Sequence, residues 1–120
     1  MMVTNLAISP VAGPLGRSAL GGRNWEGFSP DPYLTGEAMA YTITGMQSTG
    51  IQAVAKHFIA YEQETQRNPT LPTASSPIEI LSYSANLGDR AIHELYLHPF
   101  AKAVQAGVAS VMCGYNRING

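Results

Sequence analysis

Lys56 and His57 are the residues whose types and position most directly suggest chemistry. They end an apolar run that contains Ile51, Val54 and Ala55, which we expect to form a buried strand. Ligands of parallel α/β sheets bind where the carboxyl ends of the strands open into loops, so a cation and a titratable ring there are candidates for binding or catalysis. The alternative, that Lys56 lies on an ordinary surface and His57 is a satisfied half-buried ring, remains open from this stretch alone.

The first half of the chain predicts a strand, a long loop, a helix and the strand that ends in Lys56. A short apolar segment over 5–8 predicts the first strand, and the glycine- and proline-rich segment 11–32, which carries Arg17 and Arg23, predicts a functional loop. Asp31 before a proline is typical of a helix start, and we expect this helix to extend to about Ser48. Its predicted apolar face contains Leu34, Ala38, Tyr41 and either Met46 or Gly45.

The second half repeats this order. A proline- and serine-rich segment over 68–77 predicts a loop, and Asp89 is the predicted cap of a second helix that ends at Gly107. Ile92, Leu95, Tyr96, Phe100 and Val104 form its predicted apolar face, with Pro99 marking a kink or a break. A buried strand is predicted over 108–113. Strands that alternate with helices indicate an α/β fold with a parallel sheet.

Composition indicates a globular chain with few charges. Apolar residues make up 45% of the 120 residues and charged residues 12%, about half the usual share, which favours a piece of a larger protein. The formal net charge of −1 gives no electrostatic signature of nucleic acid or of an anionic membrane surface. No run approaches the roughly 18 apolar residues of a membrane span, and residues 1–4 show no targeting signal. Cys113 is the only cysteine, which excludes an intrachain disulfide and predicts a buried structural thiol.

Several motifs, in order and over nearly the whole chain, resemble fungal β-glucosidases of glycoside hydrolase family 3. They are Gly13-Pro14-Leu15-Gly16-Arg17, Gly22-Arg23-Asn24-Trp25-Glu26-Gly27-Phe28-Ser29-Pro30-Asp31-Pro32, Lys56-His57-Phe58-Ile59, Glu62-Gln63-Glu64, Asp89-Arg90, His93-Glu94-Leu95-Tyr96-Leu97 and Val111-Met112-Cys113-Gly114-Tyr115-Asn116.

The resemblance implies a retaining hydrolase that removes terminal non-reducing β-D-glucosyl residues, as in cellobiose breakdown, without a cofactor or metal. It also implies that residues 1–120 are an incomplete fragment of the N-terminal (β/α)₈ barrel, with about three parallel βα units. The parent enzyme is expected to be extracellular, and the rest of it to be needed for a complete barrel. The expected partner is a small β-glucoside or cellobiose, with neither nucleic acid nor membrane.

By motif match, the resemblance places Arg23, Lys56, His57 and Tyr115 on positions that hold the non-reducing glucose in the −1 subsite. Tyr115 would lie beside the nucleophile and orient it. Consecutive residues of a regular strand point to opposite faces, so Lys56 and His57 reach one sugar only if the backbone departs from regular geometry. We therefore predict a bulge, a kink or a cis peptide at this pair.

No catalytic carboxyl pair is evident in the sequence. Retaining glycosidases need two carboxyl groups about 5–5.5 Å apart, and the resemblance places the nucleophile Asp and the acid/base Glu outside this chain. Glu62 and Glu64 should diverge, Asp89 is the predicted helix cap, and Glu26 is expected to pair with an arginine. We therefore expect the isolated chain to be inactive.

Three residues depart from the family pattern, and two functional classes remain open. Tyr61 replaces the usual Asn, His98 replaces a Trp, and Gly114 stands where Ser or Ala is common. One hypothesis is a piece of a β-glucosidase that functions as part of the whole enzyme. The alternative is a non-catalytic truncated protein with a weak sugar-binding or interaction role.

Overall fold

Three parallel strands form the central sheet of the computed structural model, which describes residues 4–120. The sheet has the order β1-β2-β4, and its strands are β1 (Leu6–Ala7), β2 (Gln52–Phe58) and β4 (Ser110–Cys113). β1 pairs with β2 and β2 with β4, both in parallel, which confirms the predicted α/β class. The part of the targeting prediction that concerns residues 1–3 lies outside the described residues. No helix within residues 4–120 is long and apolar enough to cross a bilayer.

Helix α1 (Pro32–Gln47) lies between β1 and β2 in the chain and begins as predicted. The Asp31 carboxylate accepts a hydrogen bond from the Leu34 backbone N–H at 2.8 Å, and the proline at the first helical position needs no partner for a missing donor. The predicted apolar face is wrong at Leu34 and Tyr41, which are exposed while Met39 and Ile43 are buried. Met46 packs against the core as predicted.

The close approach of α1 to the later helix that contains His98 and Lys102 explains why Met39 and Ile43, rather than Leu34 and Tyr41, are buried. A Cβ added at Gly36 would lie 3.0 Å from the Lys102 side chain and 3.3 Å from His98, so the small-residue side of α1 faces that helix.

The second helical stretch consists of three continuous pieces. They are α2 (Asp89–Ala91), a π-helical segment (Ile92–Leu97) and α3 (His98–Gln105). The π-helical segment ends two residues before Pro99, which lacks an N–H and cannot join a regular α ladder. The predicted Asp89 cap is wrong, because Gly88 occupies the cap position and the Asp89 carboxylate instead contacts His93 Nδ1 at 3.3 Å.

The strand predicted over 108–113 exists as β4, but it is largely exposed rather than buried. Cys113 is exposed, which contradicts the predicted buried thiol. Within residues 4–120, β4 pairs with β2 along one edge, and its outer side borders an apolar groove of about 620 Å³. Phe58, Phe100 and Val104 also line this groove, and the predicted core position Val104 is 64% exposed.

A second sheet was not predicted from the sequence. β3 (Ser84–Ala85) and β5 (Arg117–Ile118) form a parallel pair, and the Arg117 side chain donates to the Ser82 carbonyl at 2.9 Å. Two-residue strands have no readable alternation, so only the folded backbone reveals them. This pair holds the loop after β2 against the loop after β4.

Candidate functional site

The carboxyl end of β2 departs from regular strand geometry at Lys56 and His57. The peptide bonds Lys56-His57 and Phe58-Ile59 are cis, and the pairing register with β4 shifts between Lys56 and Phe58. The predicted irregularity is therefore confirmed. The loop after β1 covers this end, because the Ala12 N–H donates to the Lys56 carbonyl at 2.8 Å.

Glu26 lies at the centre of a group of charged side chains. It ends the 3₁₀ turn Asn24–Glu26, which brings its carboxylate back to Arg23. Arg23 donates to it through Nε and through Nη2, the latter at 2.9 Å, and Lys56 Nζ lies 3.1 Å from the same carboxylate. These side chains are only 10–21% exposed. The predicted pairing of Glu26 with an arginine is confirmed, and Glu26 also forms an ion pair with Lys56.

The two cations lower the pKa of Glu26 to about 2. Hydrogen bonds from Arg23 are the largest cause, and the bond from Lys56 acts in the same direction, against the effect of burial. Glu26 is therefore ionised at every physiological pH and neutralises one of the two neighbouring positive charges.

The surroundings of His57 favour a neutral ring with a defined tautomer. Its Nδ1 lies 2.6 Å from the Gly13 carbonyl oxygen, which can only accept, so Nδ1 carries the proton. Burial lowers the pKa of His57, and the positive charges of Arg23 and Lys56 lower it further. Nε2, which lies 3.4 Å from Arg23 Nη2, is then an acceptor.

Tyr61 connects the remaining predicted residue, Tyr115, to this group. The Tyr61 ring is almost fully buried and lies edge-on to His57, at 5.0 Å between ring centroids, and to Tyr115, at 5.9 Å. Its hydroxyl donates to the Glu64 carboxylate and accepts from Arg23 Nη1 at 3.5 Å. The sequence identified Tyr61 only as a departure from the family pattern and gave no indication of these contacts.

The structure thus brings Arg23, Lys56 and His57 together directly, and Tyr115 through the ring of Tyr61. Tyr115 is half-exposed, and the guanidinium of Arg67 lies 4.8 Å from its ring centroid. Arg67 lies in the loop after β2, and no sequence pattern singled it out.

The other acidic residues near β2 have structural partners. Glu62 accepts from the backbone N–H groups of Leu15 at 2.7 Å and Gly16 at 3.2 Å, whereas Glu64 binds Arg67 at 3.0 Å. The two carboxylates diverge, as predicted. Among the residues that the structure describes, no group of three or more His, Cys, Asp and Glu side chains could hold a metal ion.

We expect the folded chain to lose stability as the pH falls from about 6.5 to about 2. The folded-state pKa values of Glu26 and His57 lie below their ordinary values, so the unfolded chain binds more protons in acid. The contribution of Glu26, on the order of 2 kcal/mol after allowance for its partial exposure, is present above pH 4.5 and disappears towards pH 2.

Urea denaturation at pH 7, 5 and 3 measures this loss of stability. The Glu26→Gln variant should show a smaller decrease between pH 5 and pH 3 than the unsubstituted chain. An equal decrease in both proteins would assign the effect to other carboxylates.

Comparison with known proteins gives consistent matches over almost the whole chain. The sequence profile described as "Glycosyl hydrolase family 3 N terminal domain" matches residues 2–120. The chain is 60% identical over 118 residues to "Probable beta-glucosidase G" of Aspergillus oryzae, which covers 97% of this chain and 14% of the relative. It therefore spans about one seventh of the length of the curated relatives that it matches.

Solved structures give the same result. A β-glucosidase of Chaetomium thermophilum matches with a TM-score of 0.86 at 55% identity, covering 97% of this chain and 13% of that one. A Kluyveromyces marxianus β-glucosidase in complex with glucose matches with a TM-score of 0.82 at 37% identity, covering 97% and 12%.

Proposed function

Because the chain belongs to glycoside hydrolase family 3, with its N-terminal domain matched over residues 2–120, we propose that it is part of a retaining β-glucosidase. In this proposal residues 1–120 form about three βα units of a (β/α)₈ barrel and supply one side of the −1 glucose subsite. The parent enzyme acts outside the cell on β-glucosides such as cellobiose. The curated relatives are named β-glucosidases, which supports the reaction class.

The convergence of Arg23, Lys56 and His57 around Glu26 is the observation that carries this proposal. A sugar hydroxyl both donates and accepts hydrogen bonds, so its binding site needs donors and acceptors side by side. Arg23 and Lys56 are charged donors and supply the donor side of such a site, whereas the one lone pair of His57 Nε2 faces Arg23 Nη2 at 3.4 Å and orients that guanidinium.

Only some of the N–H groups of Arg23 and Lys56 remain available to a ligand. Arg23 has five N–H groups, and among the residues that the structure describes Glu26, His57 and Tyr61 engage all but one on Nη1. Within residues 4–120, Lys56 gives one hydrogen to Glu26 and keeps two. Lys56 is therefore the main donor to glucose, and Arg23 contributes one bond.

The two catalytic carboxyl groups come from other parts of the parent enzyme in this proposal. A retaining mechanism needs a nucleophile and an acid/base about 5–5.5 Å apart. The low pKa of Glu26 makes it a poor proton donor. The carboxylate of Glu62 is engaged by backbone N–H groups and that of Glu64 by Tyr61 and Arg67.

A chimera tests this function. The chain replaces the matching segment of the Aspergillus oryzae relative, and hydrolysis of a chromogenic β-glucoside is compared with that by the isolated chain. We expect turnover by the chimera and none by the isolated chain. A folded chimera without turnover would refute the proposed role in a β-glucosidase, and turnover by the isolated chain would show that one of its own carboxylates is catalytic.

Lys56→Ala in the chimera should lower kcat/KM by about 10- to 150-fold, the effect of losing one or two charged hydrogen bonds to the sugar. The matched control is Lys102→Ala, which removes a lysine that pairs with Glu37 at 2.7 Å between the two long helices. We expect the control to keep its kcat/KM. Equal losses in both variants would indicate a general effect of removing a lysine.

A further inference from the structure

Tyr61, Glu64 and Arg67 form a hydrogen-bonded group that we call the Tyr61 network. The Tyr61 hydroxyl donates to the Glu64 carboxylate, and the opposite oxygen of that carboxylate accepts from Arg67 at 3.0 Å. Tyr61 is 1% exposed, whereas the Arg67 side chain is 35% exposed. The network therefore extends from the protein interior to the open side of the site.

One end of the network contacts Arg23. The Tyr61 hydroxyl accepts from Arg23 Nη1 at 3.5 Å, and Glu64 Oε1 lies 3.7 Å from the same nitrogen. The guanidinium carbon of Arg23 lies 5.8 Å from the Tyr61 ring centroid, within the range of a cation–π contact. Nη1 is the nitrogen that keeps a free hydrogen, so these contacts set the direction of the donor that remains for a ligand.

The other end of the network contacts Tyr115. The Tyr61 ring lies edge-on to the Tyr115 ring at 5.9 Å, and the Arg67 guanidinium covers the same ring at 4.8 Å. Tyr115 belongs to the loop after β4, whereas Arg23 belongs to the loop after β1. The network comes from the loop after β2 and thus links the two outer loops of the site.

We propose that Tyr61 is a positioning residue, whose hydroxyl holds Arg23 and Tyr115 at a fixed separation across the glucose subsite. The ring alone fills space and would do so equally well as phenylalanine. The hydroxyl has a separate effect, because it orients Glu64 and through it places Arg67 over Tyr115. This inference rests on the proposed function for its consequence in catalysis, but the structural link can be tested without catalysis.

The first test is NMR of the full 120-residue chain. Arg67 side-chain protons above the Tyr115 ring should show an upfield ring-current shift, and Tyr61→Phe should abolish it by releasing Glu64. The matched control is Tyr83→Phe, which removes a hydroxyl that accepts from the Glu62 N–H at 3.1 Å in the same loop. The control should retain the Arg67 shift.

An unchanged Arg67 shift in Tyr61→Phe would overturn the proposal, as would an equal loss in Tyr83→Phe. If Tyr61→Phe does not fold, Glu64→Gln provides the second variant. It keeps the shape of the side chain but weakens its bonds to Tyr61 and Arg67, and it should also reduce the shift.

Kinetics of the chimera supply the second readout. Tyr61→Phe should raise KM for a β-glucoside and the inhibition constant for glucose together, by about 3- to 10-fold, the worth of one hydrogen bond. The value of kcat should change by less than about twofold, because a misplaced binding donor weakens the bound substrate and the bound transition state equally.

A lower kcat with unchanged KM would assign Tyr61 a merely structural role and contradict the proposal. An unsubstituted chimera without turnover would refute the proposed function, and the NMR result would still decide whether Tyr61 positions the two outer loops.

Discussion

Glu26→Gln should lower kcat/KM of the chimera by about 100- to 1000-fold and destabilise the isolated chain by about 3 kcal/mol. Removing one member of a partly buried charge group leaves the remaining charges uncompensated, which typically costs 3–5 kcal/mol when the group is fully buried. Arg23 and Lys56 both bind Glu26, so the amide leaves two neighbouring cations that repel each other. Both of the charged donors proposed for glucose would then move.

Urea denaturation of the chain and steady-state kinetics of the chimera measure the two effects. The matched control is Glu94→Gln, which removes an exposed carboxylate that pairs with Arg90 at 2.9 Å within one helix. Such an exposed pair contributes about 0.5 kcal/mol or less. If Glu26→Gln retained full activity, the arrangement of Arg23 and Lys56 would not depend on Glu26, and our description of the site would be wrong.

Gly13→Ala should destabilise the chain by about 3 kcal/mol or more, or prevent it from folding. A Cβ at this position would lie 2.3 Å from the backbone carbonyl oxygen of His57, a separation that real structures do not tolerate. The clashing atoms cannot move apart easily, because both belong to backbone. At this point backbone hydrogen bonds join strand β2 to the loop that follows β1. Overpacking of this kind costs 1–3 kcal/mol in ordinary cores and more where backbone must move.

Circular dichroism and urea denaturation of the purified chain measure this effect. Gly45→Ala is the matched control, because this glycine is exposed in α1 and an added Cβ would meet nothing within 4 Å. Alanine there should stabilise the chain by about 0.5–1 kcal/mol through higher helix propensity. Equal behaviour of the two variants would show that the close approach at Gly13 is not needed for folding.

The sequence predicted the order of the main strands and helices, because this order depends on local patterns, whereas the glucose site at the end of β2 stays a prediction. The cap at Asp31 and the apolar run before Lys56 are each contained in a few neighbouring residues. The alternation rule also predicted irregular backbone between Lys56 and His57 from the requirement that both reach one ligand.

Tertiary packing determined what the sequence did not predict. The face of α1 follows from its close approach at Gly36, and the exposure of Cys113 follows from the open side of β4. The contacts of Tyr61 with Arg23 and Tyr115 join residues 38 and 54 positions away in the sequence, beyond the reach of any local pattern.

The bond from His57 to the Gly13 carbonyl has a consequence for how this site tolerates genetic change. A main-chain oxygen is present whatever amino acid is encoded, so a codon change at Gly13 can displace the group that fixes the His57 tautomer, through a clash with the His57 backbone, but cannot remove it. The arrangement of Lys56 and Arg23, in contrast, depends on the side chain of Glu26, which one nucleotide change can remove. The charged donors can therefore be lost from a chain that still folds, whereas the bond to His57 is lost only together with the local backbone.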